Sequence, residues 1–152
     1  MAQALSGFQT ALSQLPVGST DHLVARFKAA DAAAWLGDAP SALTGYLEVA
    51  DTVTKRPLER ETWMPAALEQ AVIAAIASTN APAGESALRR LLELPHAAAR
   101  AGQSVLWLGS SLARQGAGEL GRSLLQDYLL RFPESAVRPE VQLELAMLGL
   151  HD

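Results

Sequence analysis

The sequence predicts an all-α protein built from antiparallel helix pairs, and three observations carry that prediction. Alanine and leucine, both strong helix formers, make up roughly a third of the chain, while aromatic residues are only 5%. Apolar residues recur at helical spacing in one segment after another. Glycine- and proline-rich breaks fall between those segments, where helices must turn or stop. At 152 residues the chain is one domain by length and long enough to bury a core of its own.

The first helix is marked by Leu5, Phe8, Leu12 and Leu15, which share one face over residues 2–14, and it is ended by Pro16. The polar face of that helix carries no lysine or arginine, so it reads as a lid over the first helix pair and not as a membrane-surface helix. Ser19, Thr20 and Asp21 supply hydroxyls and a carboxylate for the free N–H groups of the next helix. That helix should run to Leu36, turn at Gly37–Pro40, and return over Ser41–Val53. Residues 54–57 are a connector. Pro65 disfavours helix at Met64, so the next arm should kink there or fall into two short pieces before continuing to Thr79. After Asn80–Gly84 a shorter helix is expected over Glu85–Leu94.

Residues 97–133 are the most legible stretch. Val105, Leu108 and Leu112 recur in one arm. Leu120, Leu124 and Leu125 do so in the other, with Tyr128 and Leu129 one turn on. The arms join at Gln115–Gly118 and the second stops at Phe132-Pro133. A final helix is expected from Ser135 to Leu150.

With Gly102 as position one, this stretch resembles a tetratricopeptide repeat. Leu108-Gly109 falls on the small contact of the first helix, Gly116 on the turn and Gly121 on the close helix contact. Leu125 takes the large apolar position and Pro133 the terminal proline. The pattern returns from Leu23, with Gly37 on the turn, Ala42 on the close contact and Tyr46 on the large position. A degenerate middle unit carries Ala87 and Leu91 there, 34 residues before Gly121 and Leu125, and lacks the turn glycine. The Trp-Leu-Gly start and the Tyr-x-x-x-Phe-Pro-x-Ser end are similar to the bacterial envelope subclass of these repeats. The resemblance implies a right-handed superhelix of three hairpins flanked by one helix at each end. Its parts are an N-terminal helix (1–16), a first repeat (20–56), a degenerate second (57–95), a third (97–133) and a C-terminal helix (135–150).

Composition narrows the function. The formal charge is −4 and no basic block exists, which argues against nucleic acid as a partner. There is no cysteine, so disulfides and thiolate metal sites are excluded. The longest apolar run, Ala71–Ala77, is far short of a membrane span, so no direct membrane insertion is expected. The N-terminus has no basic start and is not a secretory signal as written. A chain that begins here belongs in the cytoplasm; one trimmed of a leader or anchor belongs in the periplasm or at a membrane.

Catalysis is not expected. His22, His96 and His151 are far apart, outside any H-x-x-x-H or H-E-x-x-H setting. No serine stands in a G-x-S-x-G elbow. Gly116, Gly118 and Gly121 spell G-x-G-x-x-G between two helices, where the dinucleotide fingerprint needs a strand first. Arg89-Arg90 reads as a solvated charge run. No cofactor or metal site is expected.

What remains is binding of a protein partner. In the repeats that this chain resembles, the first helix of each pair lines the concave surface. The inward positions are then Lys28, Asp31 and Trp35 in the first unit, Glu69 in the middle one with Trp63 at its mouth, and Gln103, Trp107, Ser110 and Arg114 in the last. The expected function is a non-catalytic scaffold that holds a peptide or helix of a larger assembly. The alternative is a structural subunit that packs through its terminal helices as a homo-oligomer. That alternative rests on the last helix: Val141, Leu145 and Leu148 form one apolar stripe, while Leu143, Met147 and Leu150 form a second on nearly the opposite side. The second stripe is expected to contact another copy or a partner subunit.

Overall fold

A computed structural model describes residues 2–150. Among them the chain is all-helical, with no strand. The helices are α1 (Ala2–Gln14), α2 (Thr20–Trp35), α3 (Ala39–Val53) and α4 (Pro57–Ala77). They continue as α5 (Ala81–Leu92), α6 (Ala98–Arg114), α7 (Gly118–Arg131) and α8 (Arg138–Gly149).

Three tight corners fold one helix back on the next. At each, a residue in the left-handed region follows the helix: Gly37 at φ +82°, Thr79 at +53° and Gly116 at +79°. The hydrogen bonds are the same each time. Gly37, Thr79 and Gly116 donate to Ala34, Ile76 and Ala113, while Asp38, Asn80 and Ala117 donate to Ala33, Ala75 and Leu112. This is the Schellman arrangement, which satisfies carbonyls that the helix end would leave bare. Side chains then cap two of the returning helices: Asp38 accepts from the Ser41 N–H and Asn80 from the Ala83 N–H. The Ser41 hydrogen bonds hold the Asp38 carboxyl below its ordinary value. The middle corner therefore exists without its glycine.

Two expectations about the middle unit change. The α4 arm is one helix with Pro65 inside it. Met64 and Leu68 are buried on either side of the proline, and Glu61, the residue whose carbonyl loses its N–H partner, is exposed to water. Burial of the flanking turn outweighs the lost bond. The second arm begins at Ala81, a turn earlier than Glu85, and ends at Leu92. Pro82 lies in the first turn, where its missing N–H costs nothing. The final helix begins at Arg138 and not at Ser135, because Ser135 is bonded to Tyr128 and to the Val137 N–H in the preceding turn.

Each helix packs on the next in sequence, and α4 also packs on α6, α6 on α8, and α5 on α7. Phe27 of α2 meets Trp63 of α4 edge to face at 5.5 Å. The first helices of successive pairs thus form one layer (α2, α4, α6, α8) and the second helices another. Arg89 and Arg90 are not simply solvated. Arg90 pairs with Asp51 of α3 and Arg89 with Asp127 of α7, so α5 bridges its two outer neighbours. The core runs between the layers through Tyr46, Leu68, Leu88, Leu91, Leu124, Leu125 and Tyr128, all fully or nearly fully buried. Ala42, Ala87, Leu91 and Leu125 lie within it.

Candidate protein-binding surface

The residues expected on the inner layer divide into those already engaged and those that are free. Asp31 accepts hydrogen bonds from the Tyr46 hydroxyl at 2.8 Å and from Lys28 Nζ at 3.0 Å. It holds α2 to α3. Trp63 packs on Phe27, which in turn meets Tyr46 at 5.3 Å. Glu69 accepts from Arg100 of α6. These side chains stabilise the stacking of the pairs. Trp35, at the end of α2, is 76% exposed and stands away from the others.

The structure does bring together Trp107, Ser110 and Arg114 on α6. Val105 and Leu108 turn into the core, so Trp107, two residues past Val105, emerges on the other side and is 42% exposed. With Ile73 and Ile76 of α4 these three line an open cleft of about 410 Å³. Gln103 is exposed on the same helix but does not line it. A second cleft of about 610 Å³ shares Ser110 and Arg114 and continues to Glu144, Met147 and Leu148 of α8. The two clefts form one groove across α4, α6 and α8. Ser110 donates to Glu144 in its floor. Arg114 is exposed and makes no ion pair among the described residues.

On α8 the inner stripe is seated as expected, with Val141 and Leu148 buried and Leu145 packed against the core. Leu143, Met147 and Leu150 are 62%, 43% and 84% exposed. Met147 lies at the edge of the groove beside Arg114, which links two sets of residues that the sequence kept apart. Ile73 and Ile76 were missed. The signal for them is the run Ala71–Ala77, apolar on every side, in a helix that needs only one side for the core.

Among the described residues no three histidine, cysteine, aspartate or glutamate side chains come together as a metal site would need. His151 lies outside the described residues. No helix among them is long and apolar enough to cross a membrane. The sequence matches no protein-family model and no curated protein.

Proposed function

We propose that the chain is a tetratricopeptide-repeat-like array and a non-catalytic scaffold, whose α4–α6–α8 groove holds a peptide or helix of a protein partner. The array reading draws support from the same hydrogen-bonded corner recurring three times, with the first helices in one layer and the second helices in another. The observation that carries the binding reading is Trp107 and Arg114, exposed together over Ile73 and Ile76. Tryptophan and arginine combine apolar area with hydrogen-bonding edges and dominate the energetics of many interfaces. Here neither is consumed by the fold, because Val105 and Leu108 already fill the core beneath them.

The test is to isolate a partner by affinity capture from the native organism and measure its binding to purified variants. Trp107→Ala with Arg114→Ala should lower affinity at least tenfold at unchanged helicity, a loss of about 1.4 kcal/mol or more. Equal affinity of the double variant and the wild type would exclude the groove as the site. A second reading, a structural subunit that packs through its ends, is favoured by the exposed Leu143, Met147 and Leu150.

A further inference from the structure

The groove across α4, α6 and α8 is two apolar seats with one free cation between them. Its clefts lie on either side of α6 and share Ser110 and Arg114. Ile73, Ile76 and Trp107 wall the first, while Ala113, Met147 and Leu148 wall the second. Each can take an apolar side chain. Ser110, which separates them, is small, and its hydroxyl is spent on Glu144.

Arg114 differs in kind from Arg100, the other arginine of α6. Arg100 pairs with Glu69 of α4, whereas Arg114 makes no ion pair among the described residues. Its place in the last turn of α6 suits a positive charge but uses none of its hydrogen-bond donors. Glu144, the carboxylate that lines the same groove, is engaged by Ser110 instead. A guanidinium with a free fork beside two apolar seats matches a carboxylate carried between two apolar side chains. A basic segment would meet like charge there. A wholly apolar one would cover Arg114 without giving it a partner.

Spacing decides the backbone of that segment. Packed helices stand about 8–10 Å apart, which sets the distance between clefts on the two sides of α6. Residues on one face of an extended strand are about 6.6 or 13 Å apart, and neither step fits. In a helix, residues seven apart share a face at about 10.5 Å, with the residue three or four along lying between them. That middle residue falls over Ser110, one turn from Arg114. Building on the reading of the groove as the binding surface, we infer that its partner is an amphipathic helix laid across α6. It carries apolar side chains seven residues apart and, midway, an aspartate or glutamate that pairs with Arg114.

A displayed library of helical peptides, randomised along one face and selected on the whole purified chain, tests this. Selected peptides should carry two apolar residues seven apart, with an acid three or four residues after the first. The strongest, made synthetically, should lose about tenfold in affinity when its acid is changed to the amide, and as much on Arg114→Gln. On Arg114→Gln the acid and amide peptides should bind equally, the mark of a direct pair. Affinity for wild type should also fall with added salt. Peptides that are lost on Trp107→Ala, at unchanged circular dichroism, but are indifferent to Arg114→Gln overturn the inference and leave the groove as the site. Peptides indifferent to both substitutions overturn it and count against the groove as well. A selection that yields no binder, or binders without the acid, overturns the inference, while the groove still answers to the captured partner.

Discussion

Gly121 of α7 rests directly on Gly109 of α6. A methyl group on Gly121 would sit 3.1 Å from the Gly109 carbonyl oxygen and 3.4 Å from its Cα. Both contacts are to backbone, which cannot turn aside as a side chain can. Gly121→Leu should therefore overpack the pair by about 1–3 kcal/mol and lower the thermal midpoint by several degrees. Gly118→Ala is the control: nothing lies within 4 Å of a Cβ there and φ is not positive, so its midpoint should barely move. A thermal melt of Gly121→Leu that matches wild type would mean that α6 and α7 do not meet at this point.

A second glycine makes room for a hydroxyl. A Cβ on Gly102 would fall 2.6 Å from Tyr128 Oη, which donates to the Ala98 carbonyl at 2.9 Å and lies 2.5 Å from Ser135 Oγ. Gly102→Ala must push that hydroxyl off its partners and should cost about 1–3 kcal/mol, whereas Tyr128→Phe alone should cost about 1. The pair should not be additive. With the hydroxyl gone, Gly102→Ala loses its worst clash, so urea denaturation of the double variant should give less than the sum of the two single losses. Simple additivity would place the strain elsewhere.

These glycines show why much of the fold was legible in the sequence. Gly109 and Gly121 meet where α6 and α7 touch and Gly116 takes the left-handed corner between them, and the helices around them fall within a residue or two of their expected ends. The middle unit was harder because its cues are of other kinds. Its left-handed corner is a threonine and its close approach is Gly84, where a Cβ would lie 3.0 Å from Leu108 Cδ1 and 3.3 Å from Ala75 Cβ. Asp38-Ala39-Pro40 and Asn80-Ala81-Pro82 do match, cap for cap, but at a spacing that a 34-residue period hides. The candidate surface was only half legible. Helical phase sets which residues leave the core, so Trp107 and Arg114 could be named. Which of them stay free depends on neighbours from other helices, and Asp31 and Glu69 turned out to be engaged by Tyr46 and Arg100.

Tyr46 should give stability an alkaline dependence. Burial, joined by its hydrogen bond to the Asp31 carboxylate, raises its pKa above the ordinary 10.0. A folded-state value above the unfolded one means that the contribution is complete below pH 10 and is lost as the pH rises beyond it. Urea midpoints should therefore hold steady through neutral pH and fall on the alkaline side. Tyr46→Phe should lower the neutral plateau by about 1 kcal/mol and flatten the alkaline fall. An alkaline fall equally steep in Tyr46→Phe would assign it to another group.

The middle corner makes the last prediction, and its sign is opposite to the others. Thr79 occupies the left-handed region at φ +53°, where Gly37 and Gly116 stand at the equivalent corners. An L-residue there crowds its Cβ against the backbone at a cost of about 1–2 kcal/mol, and a β-branched one is the worst placed. Threonine gains something locally, since its hydroxyl donates to the Ser78 carbonyl at 2.7 Å. That bond is exposed and water can replace it. Glycine removes the crowding but adds about 0.5–1 kcal/mol of backbone entropy to the unfolded chain, so the net gain for Thr79→Gly should be about 0.5–1 kcal/mol. The mirror substitution, Gly37→Thr, should destabilise by about 0.5–1 kcal/mol even though nothing lies within 4 Å of its Cβ, because strain in the backbone itself outweighs the entropy removed from the unfolded chain. Urea denaturation of the two variants should move the midpoint in opposite directions. A Thr79→Gly protein that is less stable than wild type would mean that the middle corner is not left-handed, and the recurrence of one corner along the chain would end there.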